Sequence, residues 1–418
     1  MSAPGPQTPR NFQQVLSAHL TLNRNRSLAI FLAVLFLAAF LVRLWGMSKS
    51  HYWDEMVYLQ NAQVICCGKI NYSELDFRPP LLSLLYAGVF LLWRHIFAAC
   101  IVTALVNALA PVFLFFAGRL SVGRLPAAIA TLLLAFSPFF LGIFPAGFDS
   151  DDTGNSLLTD SPALTLVLLS LWLLLRALQR PTIFRFFSAG IALALCILMR
   201  FGSIPSVAML LLLPLATRIR WKALAATLSG LAVGIAPYLL WSRFTYGSFL
   251  HTLRVGWANV EGPVEPFTYF LRNAATIFTP VALIGLLLSL IAHLTSLRAP
   301  HAPAPATSPL RFVKPYLWLW LFLGLLFFSL MPHKEPRYIL PLAPPVLLLA
   351  SSGLALFTAL PNKPLGQAAA CLLAVVLFLT FLPLRERLST PFLNAAPPRK
   401  NLPQPSFNPP SLPTPLST

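Results

Sequence analysis

The sequence predicts an all-α, polytopic integral membrane protein whose ionisable chemistry gathers on one face of the bilayer. Of 418 residues, 57% are hydrophobic and only 10% charged, a balance foreign to soluble domains. Apolar runs recur that are long enough to cross about 30 Å of hydrocarbon as helices. All 12 acidic residues, from Asp54 to Glu386, fall outside those runs.

At the amino end, Arg10, Arg24 and Arg26 precede an apolar run over 28–42, with Arg43 and Trp45 at its far end. No small-residue cleavage site follows, so this reads as an uncleaved first span behind a cytoplasmic arm, residues 1–27. Apolar windows place spans at roughly 28–45, 96–118, 125–148, 162–178, 186–198, 204–216, 223–241, 274–292, 315–331, 339–360 and 366–383, about eleven in all. The run 81–93 is apolar but too short to cross at 1.5 Å per residue, and is expected to lie against the bilayer surface. Were it to cross, Asp54 and Glu335 would face opposite compartments.

With the amino terminus inside, the inner loops carry Arg119, Arg124, Arg176, Arg180, Arg185, Arg218, Arg220, Lys222, Arg298, Arg311, Lys314 and Lys363 and no acid. The net charge of +18 therefore orients helices and meets anionic lipid. Nucleic acid is not an expected partner. One membrane domain, 28–383, is expected, with outer loops 46–95, 149–161, 242–273 and 332–338. A Pro-rich tail over 384–418 is expected to be mobile. The cysteines, Cys66, Cys67, Cys100, Cys196 and Cys371, show no CxxC spacing. They predict neither a zinc site nor a disulfide framework, and Cys66 and Cys67 read as unpaired thiols.

The chemistry concentrates in a few segments. After the first span comes His51-Tyr52-Trp53-Asp54-Glu55, with Tyr58 and Ala62 on the helical face of Asp54. A carboxylate at the headgroup boundary suits proton abstraction or cation binding. Asp76-Phe77-Arg78-Pro79-Pro80 opens the short surface helix, since proline fits a first helical turn. Asp149, Asp151, Asp152 and Asp160 follow the third span, with Asp160 and Ser161 placed to cap a helix near Pro162. The segment 242–273 adds Arg243, Arg254, Glu261, Glu265 and Arg272. Late in the chain stands His333-Lys334-Glu335-Pro336-Arg337-Tyr338. Four ionisable groups at a membrane boundary are costly unless they pair or bind something. Lys334 and Arg337 suit a phosphate, with His333 and Glu335 orienting them.

Together the Asp54-Glu55 pair, the Pro79-Pro80-Leu81 helix start, the Asp160-Ser161-Pro162 helix start and the His333–Tyr338 loop resemble the GT-C superfamily of membrane glycosyltransferases. The last loop is most similar to lipid-linked mannosyltransferases, and the first segment to bacterial aminoarabinose-transferase-like enzymes. The resemblance covers about 28–383. It implies transfer of a sugar from a polyprenyl-phosphate donor to a hydroxyl-type acceptor on a lipid, glycan or protein, with inversion, at the periplasmic face of a bacterial inner membrane. It implies Asp54 as catalytic base with Glu55 supporting acceptor or metal. Asp160, or instead Asp149, Asp151 or Asp152, corresponds to the second-loop acid. His333, Lys334, Glu335 and Arg337 would serve the carrier phosphate and substrate, with Tyr58, Arg78, Arg243, Arg254 and Arg272 as further candidates. No cofactor is fixed, and a divalent ion on Asp54, Glu55 or His333 stays open. Two departures are noted: Tyr338 stands where phenylalanine is commoner, and the soluble carboxy-terminal domain of some relatives is not found.

The alternative from another class is a transporter or lipid-linked-sugar flippase. That reading expects ionisable residues deep inside spans, beside broken helices. Arg200, between two short apolar runs, is the residue left unexplained.

Overall fold

The structure, a computed structural model, describes residues 10–46, 53–68, 75–136, 139–141, 157–258, 263–298, 310 and 312–359. The expected span 366–383, the tail 384–418 and the acids Asp149, Asp151, Asp152 and Glu261 lie outside these.

Among the described residues the protein is helical, with one isolated antiparallel bridge between Val264 and His333. The helices run α1 (Arg10–Gly46), α2 (Trp53–Cys67), α3 (Leu81–Phe90), α4 (Ile96–Ser121), α5 (Arg124–Phe136), α6 (Asp160–Gln179) and α7 (Ile183–Met199). They continue as α8 (Ile204–Leu210), α9 (Arg220–Tyr246), α10 (His251–Ala258), α11 (Tyr269–Arg272), α12 (Ala274–Arg298), α13 (Val313–Leu330) and α14 (Ala343–Leu354). Seven described helical stretches are long and apolar enough to span a membrane, so the chain is an integral membrane protein. Of the expected span 125–148 the described residues form the short α5 and the turn Phe139–Leu141, while 137–138 and 142–148 lie outside them, and the expected span 204–216 appears as α8 and a 3-10 turn. As the sequence predicts, α3 is only ten residues long, too short to cross.

Every Asp, Glu, Lys and Arg within the seven spans lies in the first or last four residues of its span. The bilayer explains this: a charge at midplane must find a partner or water, whereas one near an end reaches the boundary. Arg43 is the deepest-buried of these. Its guanidinium donates to the carbonyls of Ala135 at 3.3 Å and Leu134 at 3.4 Å, so the last turn of α1 caps the carbonyl end of α5.

Close packing joins the remaining helices. A Cβ on Gly190 would lie 2.0 Å from the Thr227 carbonyl oxygen, and one on Gly230 2.0 Å from that of Phe187, so α7 and α9 touch backbone to backbone. In lipid, where apolar burial gives no drive between helices, such contact supplies the dispersion that holds them. Within α12 the helix breaks at Thr279 (φ 66°, ψ 148°), ahead of Pro280, which has no N–H to continue the ladder. The Thr279 hydroxyl accepts from the Ala282 amide at 3.4 Å and restarts the helix.

Two local expectations are corrected. Cys66 and Cys67 are joined to each other as a disulfide at the end of α2, where the sequence read unpaired thiols. Asp160 does not cap α6. It is itself the first residue of the helix, behind Thr159, and its carboxylate is taken by a distant arginine.

Candidate active site

The short connecting elements converge on a cavity of about 570 Å³ at one end of the helices. Its charged lining is Asp54 from α2, Arg78 from the turn before α3, Asp160 from α6, Arg200 after α7, and Glu335 and Arg337 from the loop after α13. Residues separated by nearly three hundred positions thus meet on one side of the membrane. The possibility that Asp54 and Glu335 face opposite compartments is removed.

α2 follows the first span closely, and its first turn brings Asp54 to the cavity. Its Oδ1 accepts from Arg78 at 2.7 Å, and its Oδ2 lies 3.6 Å from the Arg337 guanidinium. Arg78 is oriented in turn, lying 5.0 Å over the Phe77 ring and 5.9 Å over that of Tyr58. Burial raises the Tyr58 phenol above its ordinary pKa, so it stays protonated and uncharged beside the acid.

Glu55 is adjacent in sequence but points elsewhere, since successive helical residues face different sides. Nearly fully buried, it accepts from the Leu157 amide at 2.6 Å. It thereby ties α2 to the lead-in of α6, while the Leu157 carbonyl accepts from Tyr86 at 3.3 Å. This geometry differs from the expected support of acceptor or metal.

The late loop is a small ionic lattice. Arg337 donates from Nε to Glu335 and reaches Asp54 with Nη2, so it bridges two carboxylates. Glu335 also takes His333 at 2.9 Å and the Tyr338 hydroxyl at 3.4 Å. Burial alone would raise the Glu335 carboxyl, but Arg337 and the hydrogen bonds from Arg337 and His333 outweigh it, leaving its pKa below the ordinary value.

Lys334 is buried, and its ammonium is spent on backbone: it donates to the carbonyls of Glu265, at 2.7 Å, and Met331. With the Glu265 amide on the Pro332 carbonyl at 2.9 Å, it fastens the segment before α11 to the loop. Lys334 and His333 do not line the cavity. Arg243, Arg254 and Arg272 are exposed and do not line it either, and Arg243 bonds the Gly247 carbonyl instead.

Arg200 is the participant that motif reading missed. It holds Asp160 and the Thr159 hydroxyl, at 3.4 Å for the latter, and lies 5.6 Å over the Tyr338 ring. The available signal was an arginine between two apolar runs, which in lipid demands a buried partner. The apolar walls come from Phe327 and Phe328 of α13 and from Leu253 and Trp257 of α10. α10 lies so close that a Cβ on Gly256 would be 2.8 Å from the Phe77 carbonyl oxygen.

Metal candidates do not assemble. Asp54 and Glu55 diverge, His333 rests on Glu335, and no three His, Cys, Asp or Glu gather among the described residues.

The fold is of the GT-C type, the resemblance that the sequence motifs suggest. Residues 77–241 match the family described as dolichyl-phosphate-mannose-protein mannosyltransferase. The structure of ArnT from Cupriavidus metallidurans bound to undecaprenyl phosphate is similar with a TM-score of 0.60 at 19% identity, over 82% of this chain and 63% of that one. Its apo form gives 0.59 at 18%, over 86% and 71%. The apo Archaeoglobus fulgidus oligosaccharyltransferase gives 0.53 at 12%, over 85% of this chain and 56% of that chain. The chain thus spans less than two thirds of the carrier-bound ArnT it matches. No curated protein matches.

Proposed function

We propose that the protein transfers a sugar from a polyprenyl-phosphate-linked donor to a hydroxyl-type acceptor on a lipid, glycan or protein. The observation that carries this reading is Asp54, held in the cavity between Arg78 and Arg337 beneath apolar walls. A phosphate already anchored in the bilayer needs cations at the boundary and an apolar path for its chain, and both line this cavity. The family matched over 77–241 and the undecaprenyl phosphate bound to ArnT point to the same donor class.

In this mechanism the carrier phosphate takes up the guanidiniums of Arg78 and Arg337 and loosens their hold on Asp54. The acceptor oxygen attacks the anomeric carbon as the bond to the phosphate oxygen breaks. The acceptor proton passes to Asp54, and the departing phosphate keeps the electron pair, its charge balanced by the two arginines. Attack opposite the leaving group inverts the anomeric centre. Glu55 takes no part in bond making; it holds the segment that carries Asp160.

The site is read as facing the periplasm of a bacterial inner membrane, because the loops on the other side are purely basic. The transport alternative finds little support: among the described residues the charges stay at span ends. The deciding experiment incubates purified protein with polyprenyl-phosphate-linked sugars and scores release of free carrier and labelling of an acceptor. Carrier turnover that survives unchanged in Asp54→Asn would refute this reading of the site.

A further inference from the structure

We infer that Asp160 and Arg200 form the subsite that reads the transferred sugar, with Asp160 Oδ1 accepting a hydrogen bond from one hydroxyl of a neutral sugar. The inference rests on the glycosyl-transfer reading above and replaces a base-type role for Asp160.

Asp160 is 3% exposed and lines the cavity. Its Oδ2 holds the Arg200 guanidinium, but its Oδ1 is buried with no hydrogen-bond partner among the described residues. A buried carboxylate oxygen without a donor is costly, and native structures rarely leave one so unless a ligand or water supplies the hydrogen. The rest of the group is rigidly held. Arg200 is fixed by Thr159 and by the Tyr338 ring, and the backbone entering α6 is clamped by Glu55 at Leu157. A preorganised acceptor in a cavity wall is a specificity element.

The charge balance names the ligand. Arg200 already neutralises Asp160, so the remaining oxygen has no need of a second cation, and Arg200 would repel an ammonium brought close to it. A hydroxyl donates a hydrogen at no such cost. The subsite therefore fits neutral sugars and disfavours an amino group at the same position.

The test uses the full-length protein with undecaprenyl-phosphate-linked neutral hexoses and pentoses, then a series of the transferred donor lacking one hydroxyl at a time. Wild type should lose on the order of 10–100-fold in kcat/KM for one deoxy position only. It should lose more for the analogue with an amino group at that position. Asp160→Ala should slow the intact donor by a similar factor and no longer distinguish that deoxy analogue, while bare undecaprenyl phosphate inhibits it as it does wild type. A flat deoxy profile in wild type, or equal weakening of bare carrier in Asp160→Ala, overturns the proposal. Should that variant not fold, the wild-type series decides alone. Transfer of an amino sugar but of no neutral one would overturn the proposal and leave the glycosyl-transfer reading standing, whereas binding of undecaprenyl phosphate without transfer of any sugar would defeat that reading itself, a result distinct from a flat profile.

Discussion

Glu55 accepts a hydrogen bond from the Leu157 amide at 2.6 Å, while its neighbour Asp54 faces the cavity and takes Arg78 at 2.7 Å. A rotation of about 100° per helical residue divides the pair between architecture and chemistry. Glu55→Gln keeps a carbonyl acceptor for Leu157 and should retain most stability and turnover. Glu55→Ala removes it and should cost about 1–3 kcal/mol, with a lower kcat as the approach to Asp160 loosens. Thermal melting and kcat on the two variants check this.

Asp54→Asn should abolish sugar transfer while leaving expression, membrane insertion and melting close to wild type. Loss of a positioned base costs roughly 100- to 10,000-fold in rate. Near-normal turnover in a purified assay would remove Asp54 from the role.

Arg337 touches both Glu335 and Asp54. Arg337→Ala should weaken binding of the polyprenyl-phosphate carrier by about tenfold or more, since charge-assisted contacts to phosphate are the strong ones. Acceptor affinity should change far less. Equal losses, measured by carrier competition and acceptor titration, would contradict the assignment.

Because the Glu335 pKa lies below its ordinary value, the folded protein binds that proton less readily than the unfolded chain. The stabilisation from Glu335 is therefore complete above the ordinary carboxylate range and is lost as pH falls through the lowered value. Melting in detergent should decline along that acid limb, and Glu335→Gln should flatten part of the decline. An unaltered slope in the variant would show that its pairing with Arg337 does not stabilise the fold.

Backbone contact between α7 and α9 leaves no room for a side chain at Gly230, 2.0 Å from the Phe187 carbonyl oxygen. Gly230→Ala should destabilise by about 1–3 kcal/mol through forced separation of the helices. Gly88, with nothing within 4 Å of a built Cβ, should tolerate alanine or gain about 0.5–1 kcal/mol from it. Similar melting changes at both positions would argue against the close contact.

The membrane character, the short α3 and the gathering of Asp54, Asp160 and Glu335 on one side were all readable from the chain alone. Hydrocarbon permits so few solutions for a charged or broken segment that composition and run length nearly decide them. Local pattern could not say where each side chain ends. Lys334 looked like a phosphate ligand and instead donates to backbone carbonyls, Glu55 looked like a partner of Asp54 and turned away, and Arg200 looked orphaned and holds Asp160. Those outcomes depend on contacts between residues 40 to 102 positions apart, set by how the helices pack, and sequence spacing carries no record of them.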